Sequence, residues 1–195
     1  MRVIGVVVEG ISDRDFWRAF FARKVRQRDF SVRVVQTEGR PNLITNSAKF
    51  LETYRDAGYA KTIFILDRHS DPCVGAVLSQ FPPEVRDAPD AEILVAVKGI
   101  ETWILADGTA VRRVLGNAEY VVPRTVELMD PRALLNDLSW KGRTGSPRIY
   151  KKTTLLPKFG KVFEPDHASR HSPSFRRAWS RLSAYAGVGG RKSHE

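Results

Sequence analysis

Four short apolar runs recur along the first half of the chain, separated by segments that mix apolar and polar residues. The first run, RVIGVVV at residues 2–8, is almost wholly apolar, which is typical of a strand covered on both faces. Runs at 31–37, 62–66 and 92–97 predict three further strands. Because strands and helices alternate, the sequence predicts an α/β fold with a mainly parallel four-stranded sheet and helices on both faces.

Between the predicted strands, apolar positions recur at helical spacing. In the first such segment Ser12 is a candidate N-cap, with Asp15 three residues later in a capping box. The apolar stripe of this helix comprises Phe16, Trp17, Phe20, Phe21 and Val25. Further helices are predicted from about 42 to 57 and around 73–80.

After residue 108 the pattern changes to helices and loops. Helices are predicted near 109–115, at 131–140 and from 173 to about 186, and the run KGRTGSPRIYKK is predicted to be a loop. The predicted organisation is an α/β domain at 1–108, a basic helical extension packed on it at 109–186, and a flexible tail at 187–195.

The excess of basic residues lies in the last part of the chain. The formal net charge is +10, yet residues 1–140 carry 19 Lys and Arg against 19 Asp and Glu, whereas residues 141–195 carry 13 against three. A basic surface attracts a polyanion because binding releases condensed counterions, although such a surface also aids solubility. The sequence therefore predicts nucleic acid as a partner, and the candidate phosphate contacts are Lys151, Lys152, Arg176 and Arg177.

Several classes of protein are excluded by what the sequence lacks. No stretch approaches the roughly 20 apolar residues of a membrane span, and the first residues lack the pattern of a secretory signal. The single cysteine, Cys73, excludes an internal disulfide and a cysteine-based zinc cluster. We therefore expect a cytoplasmic protein with no membrane partner.

Carboxylates stand at the ends of the predicted strands. Glu9 closes the first strand, Asp67 closes the third, and Glu101 lies just past the fourth, while Glu38 after the second fits a turn. Because ligands bind at the carboxyl ends of parallel strands, we expect these acids to crowd one edge of the sheet. Such a cluster needs a cation or shared protons, and oxygen ligands suit Mg²⁺ or Mn²⁺.

Several motifs resemble a known superfamily. The dipeptide EG followed by a helix, and an apolar strand ending in ILDRHSD, resemble the Toprim domain of topoisomerases, bacterial primases and OLD-type nucleases. The segments AVKGIETWILAD, YKKT and SPSF are similar to segments of small stand-alone bacterial Toprim-like proteins related to the OLD nucleases. The resemblance implies a Toprim-like, Rossmann-like fold and a phosphodiesterase that needs Mg²⁺ or Mn²⁺ and cleaves nucleic acid in phage defence or DNA repair. It also implies an ATPase encoded nearby as a partner, as in OLD-type systems.

The resemblance assigns roles to individual acids. Glu9 would be a metal ligand or the general acid and base, and Asp67 would be the principal metal ligand. Asp13 matches the second acid of the OLD-type EGxxD pattern, and Glu101 matches the glutamate before the tryptophan. Asp13 also suits the dipole of a helix N-terminus, and Glu101 could cap the helix that it opens.

One position departs from the Toprim pattern. A typical Toprim sequence has an aspartate two residues after the first, where this chain has His69. His69 could bind Mn²⁺ or shuttle a proton, while Asp71 would take over the role of metal ligand. Asp71 precedes Pro72, so a turn also accounts for it.

Two other functions fit the same residues. The first is a nucleic-acid-binding or regulatory subunit whose acids bind metal without turnover, and His69 keeps this alternative open. The second is a receiver-like phosphoacceptor in which Asp67 is phosphorylated and Lys98 contacts the phosphate. The receiver alternative leaves the basic C-terminal part without a role.

Overall fold

Four parallel strands form the centre of the protein. The computed structural model describes residues 2–24, 30–141 and 150–186. The strands are β1 (Arg2–Val8), β2 (Phe30–Gln36), β3 (Lys61–Asp67) and β4 (Ala91–Ala96). They form one sheet in the order β2-β1-β3-β4, and every neighbouring pair is parallel. The prediction of a four-stranded, Rossmann-like α/β fold is therefore confirmed.

Eleven helices surround this sheet within the described ranges. They are α1 (Ile11–Lys24), α2 (Arg40–Thr45), α3 (Ser47–Asp56), α4 (Val74–Leu78), α5 (Pro83–Arg86), α6 (Ile100–Leu105), α7 (Gly108–Leu115), α8 (Pro131–Lys141), α9 (Lys152–Gly160), α10 (Pro165–His171) and α11 (Pro173–Ala186). No helix in the described ranges is long and apolar enough to cross a membrane.

Some details of the helices differ from the predictions. Because α1 begins at Ile11, Ser12 lies inside its first turn and is not the N-cap. The single helix predicted for 42–57 is two helices separated at Asn46, which closes α2 and precedes α3. Helix α9 begins inside the predicted loop. Val25, most of that loop and the predicted tail at 187–195 lie outside the described residues.

Each face of the sheet is covered by its own apolar core. Along β1, Ile4, Val6 and Val8 face one core, whereas Val7 faces the other, because successive side chains of a strand point to opposite faces. The larger core combines α1 with helices from both sides of residue 108, and includes Phe16, Trp17, Phe20, Trp103, Phe159, Phe163 and Phe175. The C-terminal helices therefore complete a core that they share with the sheet.

A close approach between α1 and α9 fixes the position of α9. A Cβ atom added at Gly160 would lie 2.3 Å from the backbone oxygen of Phe16 and 3.0 Å from Cβ of Ala19. Only glycine allows two helices this near to each other. Since α9 begins at Lys152 and α1 carries Asp13 in its first turn, this packing brings a lysine and an acid to the carboxyl edge of the sheet.

Candidate metal centre

The ends of β1 and β3 are joined through acidic side chains. Oε1 of Glu9, directly after β1, accepts a hydrogen bond from the backbone N–H of Asp67 at 2.7 Å. Asp67 is only 8% exposed, and its Oδ1 accepts a hydrogen bond from the backbone N–H of Ile100 at 2.8 Å. Ile100 opens α6, so Asp67 connects β3 with the chain that follows β4. The two carboxylates at this edge are each held by a backbone N–H group, one from β3 and one from α6.

His69 completes a group of three possible metal ligands. Its Nε2 lies 3.2 Å from Oε2 of Glu9, and its backbone adopts a left-handed conformation with φ of 53°. One ligand atom from each of Glu9, Asp67 and His69 lies within 4.8 Å of the other two. We call these three residues the triad. Three donors this close could hold one metal ion.

Lys152 lies between three of the acids. Its Nζ is 2.9 Å from Oδ1 of Asp13, 3.7 Å from Oε1 of Glu101 and 4.0 Å from Oδ2 of Asp67. Glu101 is only 1% exposed, and its Oε1 accepts no hydrogen bond from the described residues. The guanidinium of Arg132 approaches the same oxygen, with Nε at 3.8 Å. Two cations therefore face the buried Glu101 carboxylate.

Burial and charge act in opposite directions on these groups. Burial raises the pKa of Asp67 well above its ordinary value and also raises the pKa of Asp13, although the Lys152 ammonium opposes both shifts. Burial alone would lower the pKa of Lys152, but the surrounding carboxylates outweigh it and raise that pKa. Lys152 therefore stays charged, and the acids around it are costly to ionise without a further cation.

The structure does not bring Asp71 into the triad. Asp71 forms an ion pair with Arg40 and accepts a hydrogen bond from Nε2 of Gln80 at 3.0 Å. The hydrogen bond from Arg40 lowers the pKa of the Asp71 carboxyl below its ordinary value. This pairing ties the loop after β3 to α2. It gives Asp71 a structural partner that the resemblance did not suggest.

The four predicted phosphate contacts occupy different surroundings. Lys151 is exposed at the start of α9, and Arg176 and Arg177 are exposed on the first turn of α11. Lys152, in contrast, points into the acids. Nucleic-acid binding by the three exposed residues stays a prediction.

A cavity of about 410 Å³ opens beside the triad and reveals two basic residues that the acid pattern did not indicate. Its lining includes Asp67, His69, Glu101, Lys98 and Arg132. Arg132 lies in the first turn of α8, where Oδ1 of Asp130 accepts a hydrogen bond from its backbone N–H at 2.9 Å. Lys98 donates a hydrogen bond to the backbone oxygen of Leu128 at 2.6 Å. The sequence holds no signal for Arg132, and Lys98 entered only through the receiver alternative.

Replacing Gly99 with alanine is expected to lower the affinity for Mn²⁺ about tenfold or more, the usual effect of disturbing residues that orient metal ligands. A Cβ at Gly99 would lie 2.9 Å from Oε2 of Glu101 and 3.2 Å from Oδ2 of Asp67, so both carboxylates would have to move. Backbone strain is not involved, since φ of Gly99 is 172°. Calorimetric titration with Mn²⁺ measures the change. Gly75→Ala is the control, because its Cβ would make only an ordinary contact of 3.6 Å with Cys73. Equal affinities for the two variants would contradict the placement of Asp67.

Fold and site together define an α/β protein with a carboxylate-rich centre at the carboxyl edge of a parallel sheet. Comparison of the chain with protein-family models, with curated proteins and with solved structures yields no significant match. The resemblance to Toprim domains therefore depends on the sequence motifs alone.

Proposed function

We propose that this protein is a metal-dependent phosphodiesterase of the Toprim type that cleaves nucleic acid. The observation that carries the proposal is the triad, in which Glu9, Asp67 and His69 place donor atoms within 4.8 Å of one another. These residues lie at or just after the carboxyl ends of two neighbouring parallel strands. Ligands bind at this edge of such sheets. Mg²⁺ or Mn²⁺ is the proposed ion.

The residues of the triad have distinct proposed roles. A bound ion would stabilise negative charge on the attacking and leaving oxygens of a phosphodiester. Asp67 is the principal ligand, because the hydrogen bond from Ile100 fixes its carboxylate. Glu9 is both ligand and proton acceptor, since its Oε1 is held by the backbone while its Oε2 faces the half-exposed His69. His69 would supply the third donor atom to the ion.

Basic residues surround the proposed path of the substrate. Arg132 and Lys98 line the cavity beside the triad, where a phosphate group would meet positive charge. Lys151, Arg176 and Arg177 are proposed to contact the nucleic-acid backbone farther out. The proposal covers both DNA and RNA as substrates. It also includes an ATPase encoded nearby as a partner.

One observation favours a second candidate function. The Lys152 ammonium lies within 4.0 Å of three carboxylates and partly neutralises their charge. A centre whose negative charge is partly neutralised by a lysine suits a subunit that binds nucleic acid without cleaving it. Assays of cleavage and of binding separate the two candidates.

The test of the proposed function compares the full chain with Glu9→Gln on single- and double-stranded DNA and RNA, with Mg²⁺ or Mn²⁺ added. We expect the wild type to cleave at least one substrate and Glu9→Gln to be slower by about a hundredfold or more, the usual loss when a general base is removed. Asp15→Asn is the matched control, because Asp15 pairs with Arg14 on the same helix. Its rate should equal that of the wild type.

Cleavage that survives Glu9→Gln would contradict the proposed centre. Binding in a gel-shift assay without cleavage by the wild type would instead support the non-catalytic candidate.

A further inference from the structure

Two positions for a cation lie next to each other at the carboxyl edge of the sheet. The first is the triad of Glu9, Asp67 and His69. The second is the space between Asp13, Asp67 and Glu101, where the ammonium of Lys152 lies. Asp67 belongs to both, since its Oδ2 is the atom nearest Lys152. A carboxylate shared between adjacent cations is typical of centres that hold two metal ions, which lie about 3.5–4 Å apart.

Lys152 is not an ordinary surface lysine. Its side chain is 25% exposed, whereas Lys151 beside it is classed as exposed to solvent. Lys152 is the first residue of α9, and the contact of Gly160 with Phe16 holds that helix against α1. The backbone that carries the ammonium is therefore fixed relative to Asp13, which lies on α1.

Glu101 provides independent support that this second position is built for a cation. The residue is 1% exposed, yet its Oε1 accepts no hydrogen bond from the described part of the chain. Buried carboxylate oxygens are normally paired, because leaving one unpaired is costly. This oxygen faces Lys152 Nζ at 3.7 Å and Arg132 Nε at 3.8 Å, and both are charge contacts too long for a strong hydrogen bond.

We infer that the Lys152 ammonium takes the place of a second metal ion, so that this centre holds one divalent ion at the triad. The inference rests on the proposed metal centre. It adds that the centre binds one ion and that Lys152 is the residue that limits the number of ions. A divalent ion between Asp13, Asp67 and Glu101 would have to displace the ammonium, and the charge contacts of the ammonium with these three carboxylates oppose that displacement. Lys152 thus acts as a tethered cation and not as a contact to nucleic acid.

Counting bound Mn²⁺ in the full chain tests this inference without any activity assay. Equilibrium dialysis with elemental analysis should find one ion per chain in the wild type and two in Lys152→Met, which keeps an unbranched side chain without the terminal ammonium and its charge. The electron paramagnetic resonance spectrum of Lys152→Met should show the coupling of two neighbouring Mn²⁺ ions. Lys151→Met is the matched control and should bind one uncoupled ion.

A second variant keeps the test informative if Lys152→Met does not fold without metal. In that event circular dichroism should show that Mn²⁺ restores the fold with two ions bound. The double variant Lys152→Met, Asp13→Asn removes one acid of the second position and should bind fewer than two ions. Two ions in this double variant would overturn the inference.

The outcomes distinguish the inference from the proposed function. Two ions in the wild type, or one ion in folded Lys152→Met, would overturn the role of Lys152 while leaving the metal centre intact. No ion in the wild type would overturn the metal centre, and with it the proposed function.

Discussion

Replacing Asp67 with asparagine is expected to lower the affinity for Mn²⁺ by more than about a hundredfold, since even residues that only support a ligand typically contribute 10–100-fold. Asparagine keeps an oxygen that can accept the hydrogen bond from Ile100, so the local structure should survive. The substitution removes the negative charge of Asp67, which belongs to the triad and also lies next to Lys152. Isothermal titration calorimetry with Mn²⁺ measures the affinity.

The same variant should be more stable than the wild type when metal is absent. Burial raises the pKa of Asp67 above its ordinary value of 3.8, so the folded state binds this proton more tightly than the unfolded state. The contribution of Asp67 to the stability of the wild type therefore falls as the pH rises from 3.8 through the raised pKa, whereas the asparagine variant lacks this loss. Urea unfolding in chelator should show a gap between the two proteins at neutral pH that closes towards pH 4. A gap that widens in acid would contradict the assigned burial.

Asp71→Asn is the matched control for metal binding. Asp71 pairs with Arg40 and Gln80, so its replacement should leave the Mn²⁺ affinity unchanged. A loss as large as that of Asp67→Asn would show instead that Asp71 is a ligand, as the resemblance to Toprim domains implies.

Replacing Gly160 with alanine is expected to destabilise the protein by about 2 kcal/mol or more, within the usual cost of overpacking. The added Cβ would lie 2.3 Å from the backbone oxygen of Phe16, which cannot move without shifting α1. The loss has to exceed the gain of up to about 1 kcal/mol that alanine normally brings to a helix. The free energy of unfolding from urea titration measures the change.

Gly75→Ala is again the appropriate control. Gly75 lies in helix α4, and its Cβ would make an ordinary contact of 3.6 Å with Cys73. This variant should be as stable as the wild type or slightly more stable. Equal stability of Gly160→Ala and Gly75→Ala would mean that α9 does not pack against α1 at Gly160.

The sheet could be predicted because buried parallel strands appear in the sequence as short, almost wholly apolar runs. Each predicted strand matches the structure within about one or two residues, the usual scatter of assigned boundaries. The helices were less predictable where they are short. Nothing in the apolar pattern of 42–57 marks the break at Asn46, and the predicted cap at Ser12 misplaced the start of α1 by about a residue or two.

The acids of the centre could be predicted for the same reason. Glu9 and Asp67 close strands, and the position of a strand end in a parallel sheet follows from topology. The partners of the acids could not be predicted, because they depend on packing between distant segments. Lys152 looked like part of a basic surface until the packing of α9 placed it beside Asp13. The ion pair of Asp71 with Arg40 on α2 likewise has no signal in the sequence, and a ligand role for Asp71 stays a prediction.

The position of Lys152 in the C-terminal part of the chain bears on the order in which the centre is assembled. Asp13, Asp67 and Glu101 are all synthesised before the lysine that neutralises them. Folding during synthesis proceeds from the N-terminus, so the sheet can assemble on the ribosome while its acidic edge still lacks this cation. The Lys152 ammonium therefore reaches the centre only once α9 packs against α1.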